Sequence, residues 1–132
     1  MTCIVAAGLR CTLANNANNA RELSNQYTDS GATLILTSED GLATAQQTLR
    51  NLGLNEDQIP RRIVVLGSSL GWVGGPTAPR KPEARGYVHL EDLLTLGTLT
   101  EEETFNGRLA HETVYLCYSS GPSILYEDVR IC

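Results

Sequence analysis

The chain is poor in several things, and each shortage argues against a class of function. Basic residues are few: ten Lys and Arg against fifteen Asp and Glu leave a net charge of −5 over 132 residues. A nucleic-acid binder needs a clustered basic surface, so this balance argues against one. No apolar run approaches the ~18 residues of a membrane span. The four cysteines (Cys3, Cys11, Cys117, Cys132) are scattered and none shows CxxC spacing, which leaves neither a zinc nor a dithiol signature. The first ten residues have no basic n-region and only a short apolar stretch. A reducing, cytoplasmic setting is therefore expected, with the thiols unpaired and buried as small hydrophobes. Only two histidines occur, and neither a GxSxG elbow nor a GK[ST] phosphate loop is present.

What remains is enough for a folded protein. At 42% hydrophobic residues the chain is no disordered acidic tail, and its length matches a single domain. Arg10–Ala14 reads as a short strand, broken by the Asn15–Asn19 run, in which Asn18 or Asn19 is placed to cap a helix over Ala20–Thr28. Gly31 ends that helix. The unbroken apolar run Ala32–Thr37 suits a strand buried on both faces, as does Ile63–Leu66. Between them Leu42, Ala45, Leu49 and Leu52 stand at helical spacing. Strand, helix, strand, helix, strand at short intervals predicts an α/β fold with a parallel sheet and flanking helices.

The stretch Gly67–Gly86 has no period and reads as a long loop, with Trp72 as its apolar anchor. Gly67-Ser68-Ser69-Leu70-Gly71 follows a strand, but no helix or GK[ST] completes a phosphate cradle. Val88 reads as extended and Leu90–Leu94 as a helical turn; Thr98–Glu103 reads as a solvated face or a short helix, and Glu101–Glu103 lacks the alternating ligands of a calcium loop. His89 and His111, beside Glu91 and Glu112, are expected to be surface or loop residues rather than catalytic bases. His111–Tyr118 is a β-rich run that ends in Ser119-Ser120-Gly121. Small hydroxyl residues and a glycine after a buried strand offer backbone and hydroxyl donors to a nucleotide's phosphates.

These features, in this order, resemble the N-terminal region of the adenylate-forming acyl-CoA synthetases, in particular the 4-coumarate–CoA ligase-like group of fungi. The matching residues are Ala14-Asn15, then Ala20-Arg21-Glu22-Leu23-Ser24-Asn25-Gln26 and Asp29-Ser30-Gly31-Ala32, against the family's "AN…ELxxQ…DSxA". His89-Leu90-Glu91-Asp92-Leu93-Leu94 is similar to a later short helix. Val114–Gly121 is similar to the strand that runs into the phosphate loop, YSSGTTGxPKGV. The resemblance implies an acyl-activating ancestry, carboxylate plus ATP to acyl-adenylate and then a CoA thioester, with ATP, magnesium and CoA serving the intact family. It implies that residues 1–121 are a partial AMP-binding domain and 122–132 a divergent tail, and it points to Ser119, Ser120 and Gly121 as the remnant of the phosphate loop.

After Gly121 the pattern is broken. Pro122 removes a backbone donor, and the family's lysine and glycines are replaced by Pro122–Cys132. No catalytic residue and no retained cofactor is therefore expected, and the chain is read as a truncated ligase-like protein, inactive alone. The alternatives are a small accessory or binding protein and one half of a split ligase. A partial domain is expected to leave uncovered apolar surface, open to a protein partner or to self-association.

Overall fold

Asn19 starts the first helix for a local reason. Its side-chain carbonyl accepts from the amides of Arg21 and Glu22, both at 3.0 Å, and Glu22 reaches back to the Asn19 amide at 2.9 Å. This reciprocal pair satisfies amides that a first helical turn leaves free. Twelve residues after Asn19, Gly31, at φ +64°, turns the chain out through the left-handed region.

The structure is a computed structural model that describes residues 7–118, the Trp72 side chain apart. In chain order its elements are β1 (Cys11–Thr12), α1 (Ala20–Asp29), β2 (Ile35–Ser38), α2 (Leu42–Asn51), β3 (Ile63–Leu66), β4 (Val88–His89), α3 (Leu90–Leu94) and β5 (Tyr115–Leu116). Single 3-10 turns lie at Ile59–Arg62, Gly71–Val73, Pro82–Ala84 and Gly107–His111. Where length alone suggests one domain, two compact units are found: Asn16–Thr98, and Met1–Asn15 together with Leu99–Cys132.

In the unit Asn16–Thr98 three parallel strands lie in the order β2-β3-β4, with Ile35 opposite Ile63 and Val64 opposite Val88. The expected class, α/β with parallel strands and helices beside them, is what is observed. Leu42, Ala45 and Leu49 of α2 meet Ile59, Ile63, Val65 and Ala84 in a core where each is 2% exposed or less, and Tyr27, Ile35, Leu54 and Tyr87 pack around it. Ala84 comes from the long β3–β4 connection, and Gln46 of α2 donates to the Tyr87 hydroxyl at 2.7 Å. Both crossovers therefore lie on the same face of the sheet.

That placement corrects the expectation of strands buried on both faces. Ile63 and Val65 are sealed, but Leu36, Leu66 and Val88 on the opposite face are 47%, 37% and 41% exposed. The apolar runs are real. Among the described residues, however, the helical cover is on one side only.

In the other unit β1 and β5 form a parallel pair, Cys11 opposite Tyr115 and Thr12 opposite Leu116. The Cys11 amide donates to Val114 at 3.1 Å and the Thr12 hydroxyl to the Leu116 carbonyl at 2.8 Å. Arg10 and Glu112 form an ion pair beside them. Both strands are shorter than the runs Arg10–Ala14 and His111–Tyr118 suggest, because residues 107–111 coil into a 3-10 turn. Thr98–Glu103 is exposed and irregular, so the short-helix reading fails there. The thiols are corrected too: Cys117 is exposed and Cys11 only half-buried, both unpaired, while Cys3 and Cys132 lie outside the described residues. Burial pushes the Cys11 thiol above its ordinary range. Among the described residues, no helix is long and apolar enough to cross a membrane.

Leu49→Ala is expected to cost about 2–5 kcal/mol in urea unfolding, because it opens a cavity in a sealed core. Asn19→Ala is expected to cost about 1 kcal/mol through the lost cap. Leu36→Thr, on the open face, should stay within about 0.5 kcal/mol of the parent chain. Alkylation followed by peptide mass mapping should label Cys117 faster than Cys11, since the thiolate is the reactive form.

Candidate functional site

Parallel α/β sheets place ligands at the carboxyl ends of their strands, because the loops that leave those ends are free to vary. In the unit Asn16–Thr98 that edge is where polar side chains converge. Glu39, the residue after β2, accepts from the Ser68 hydroxyl at 2.9 Å and from the Lys81 amide at 3.0 Å. Lys81 in turn donates through its ammonium to Asp40 at 2.5 Å. Arg80 grips Asp92 with two nitrogens, at 2.5 and 3.2 Å, and stands 3.8 Å from Glu91. These bonds strap the β3–β4 connection across the ends of β2 and α3.

The pairs set the carboxylates' charge state. The Lys81 amide, and after it the Ser68 hydroxyl, hold Glu39 below the usual carboxylate range. Lys81 does the same to Asp40, and Arg80 to Asp92. Asp40 and Asp92 are exposed and Glu39 is half-buried, so the network serves chiefly to position the loop.

The glycine-rich segment after β3 folds back on itself. Its amides bond within the loop: Leu70 to the Pro76 carbonyl at 2.9 Å, Gly75 to Leu70 at 2.9 Å, Val73 to Leu70 at 3.0 Å and Gly74 to Gly71 at 3.1 Å. A Cβ on Gly75 would lie 2.7 Å from the Leu70 Cβ, so glycine is needed for closeness at that point rather than for anion binding. Those four amides already have partners within the loop and are not open to an anion.

His89 departs from its expected place on the surface. It is 1% exposed, at the N-cap of α3, because β4 delivers it to the covered face of the sheet beside Val65. Its Nε2 lies 3.1 Å from the Ala84 carbonyl. A carbonyl only accepts, so Nε2 carries the proton and Nδ1 offers a lone pair. Nδ1 turns toward the first turn of α3 in a capping arrangement with Asp92, whose carboxylate accepts the His89 amide at 3.3 Å. In the same capping box the His89 side chain accepts from the Asp92 amide, while Glu91 Oε1 is buried without a hydrogen-bond partner. Glu91 lines a cleft of about 210 Å³ together with Leu66, Gly67, Ser69, Leu70 and Leu90.

The other candidates are spread apart. His111 is exposed at the end of its 3-10 turn, in the other unit, next to Glu112 and its Arg10 partner. Ser119, Ser120 and Gly121 lie outside the described residues, as does the Trp72 side chain; β5 ends three residues before Ser119. Among the described residues no three of His, Cys, Asp and Glu converge to hold a metal ion. Sequence reasoning passed over Glu39 and Lys81. Glu39 had a usable signal, its position directly after a strand; Lys81, forty-two residues on, had none.

The fold and this edge define a small α/β protein with parallel strands. Comparison with family models, with curated proteins and with solved structures gives no match for this chain.

Glu39 binds its proton more weakly in the folded chain than in the unfolded one. Its contribution to stability is therefore present above the usual carboxylate range and lost as pH falls through the lowered folded value. The Lys81 amide resonance should follow that titration with a midpoint below that of an ordinary Glu. Glu39→Gln should abolish the inflection.

Proposed function

We propose that the chain represents the N-terminal α/β region of an adenylate-forming acyl-CoA ligase, and that these 132 residues do not form an acyl-adenylate by themselves. The observation that carries the reading is the parallel pairing of β1 with β5. The family-like segments Ala14-Asn15 and Val114–Gly121 are a hundred residues apart in sequence, yet the strands that lead into them share one ladder. The order helix, strand, helix, strand, crossover, strand, short helix over Ala20–Leu94 supports it as well. The exposed face of Leu36, Leu66 and Val88 is the surface that a further layer of a larger domain would cover.

Inactivity follows from the residues after Gly121. Adenylate formation needs phosphates held by backbone donors and a cation that act together. Pro122 supplies no amide, and Ser123–Cys132 contains Glu127 and Asp128 but no lysine. Ser119, Ser120 and Gly121 would contribute the first edge of such a loop and nothing beyond it. The reading carries a cytoplasmic location and a protein neighbour on the open sheet face. A non-catalytic binding protein is the second reading, favoured by that same face; it requires the chain to be a soluble monomer or defined oligomer by light scattering.

The full chain is expected neither to exchange pyrophosphate into ATP with aryl or fatty acids nor to bind ATP with saturable heat. Turnover would end the claim of inactivity. The family reading is tested separately: genomic sequence beyond the Gly121 codon, read in every frame, is expected to encode Thr-Thr-Gly-x-Pro-Lys, and its absence would overturn the assignment.

A further inference from the structure

We propose that Asn106 is a site of covalent modification, deamidating to aspartate and isoaspartate through attack by the Gly107 nitrogen. Asn106 is followed by glycine, whereas every other asparagine of the chain precedes a residue that carries a side chain. Glycine has no Cβ to crowd the approach of its nitrogen to the asparagine side chain. Both residues are exposed, at the start of the 3-10 turn Gly107–His111. A Cβ on Gly107 would meet nothing within 4 Å. The Asn106 side chain makes no capping bond to the turn, and among the described residues the Gly107 amide has no hydrogen-bond partner. Nucleophile and electrophile are adjacent, and neither is engaged.

The reaction needs only water. The Gly107 nitrogen gives its proton to solvent base and bonds to Asn106 Cγ. The Cγ–Nδ2 bond breaks, and Nδ2 leaves as ammonia with a proton from water. Water then adds to the cyclic imide. Opening at Cγ gives aspartate; opening at the main-chain carbonyl gives isoaspartate, whose backbone runs through Cβ and Cγ. The attack requires rotation about the Asn106 Cα–C bond, where ψ stands at 157°. That rotation gives up the hydrogen bond that the Asn106 carbonyl accepts from Leu109 at 3.2 Å, in an exposed turn where local opening costs little.

Asp40-Gly41, where the same cyclisation is chemically open, shows the contrast. The Gly41 amide donates to the Ser38 carbonyl at 3.1 Å, and the Gly41 carbonyl accepts from Ala45 of α2 at 3.0 Å. The Asp40 carboxylate is held by Lys81. That pair is pinned between β2 and α2, whereas Asn106-Gly107 is not. Deamidation adds a negative charge close to Glu101, Glu102 and Glu103. Isoaspartate also adds a methylene to the main chain just ahead of the turn that leads to Glu112, the partner of Arg10. The modification therefore acts on the segment that delivers β5.

The test incubates the full chain at mildly alkaline pH, folded or in guanidinium chloride, and follows its tryptic peptides by mass spectrometry. The peptide Gly86–Arg108 holds Asn106 as its one asparagine. In the folded chain it is expected to gain the mass of NH replaced by O at least tenfold faster than the peptides carrying Asn15–Asn19, Asn25, Asn51 and Asn55. Folding should slow this gain by less than about threefold, and should slow isomerisation at Asp40-Gly41 by tenfold or more. The product should separate into aspartyl and isoaspartyl peptides, the second accepting a methyl group from S-adenosylmethionine through an isoaspartyl methyltransferase used as the probe. Asn106→Gln should remove the mass gain from this peptide. Gly107→Ala, compared in guanidinium chloride where folding plays no part, should slow it at least tenfold. Tenfold or greater slowing of Asn106 by folding would mean that the turn holds the site closed, and would overturn the proposal. A gain at Asn106 no faster than at the other asparagines would overturn it as well.

Discussion

Parallel strands cannot be joined by a tight turn, so each connection between them must cross the sheet, and in proteins it crosses with one hand. That constraint organises the unit Asn16–Thr98. The chain runs β2, β3, β4 in one direction across the sheet, so both connections fall on the same face. The first brings α2, whose Leu42, Ala45 and Leu49 are three of the seven buried core residues. The second brings Ala84 into that core and Tyr87 against Gln46. The opposite face, with Leu36, Leu66 and Val88, is left open for the same reason.

The crossover rule also collects chemistry at one edge. All three strands end on the same side, so Glu39, the Ser68 loop and His89 meet although they come from distant parts of the chain. The resulting edge is rich in carboxylates, and the amides of Leu70, Val73, Gly74 and Gly75 are bonded within the loop, which disfavours a phosphate there. The segment Val114–Tyr118 lies elsewhere, with Tyr115 and Leu116 on the ladder of β1 and β5.

Local structure was largely legible. Asn19 and Glu22 announce a capping box, Gly31 a helix stop, and Leu42, Ala45 and Leu49 a helical stripe, because each depends on neighbours within four residues. The apolar runs at 32–37 and 63–66 identified strands and parallel pairing. They did not show which face was covered, since an unbroken run reads the same whether one side or both are sealed. His89 was misplaced for a related reason: its burial depends on β4 pairing with β3, a partner more than twenty residues away. The strap of Glu39, Ser68 and Lys81 spans forty-two residues and leaves no local trace.

By itself the sequence determined the helices, their caps, the strand positions and the α/β class, all consequences of short-range hydrogen bonding and periodicity. Only the tertiary structure decided that the chain forms two units, that one sheet face stays open and that His89 is buried at the start of α3. Those outcomes follow from which segments pack together, and packing is set by the whole chain rather than by any stretch of it.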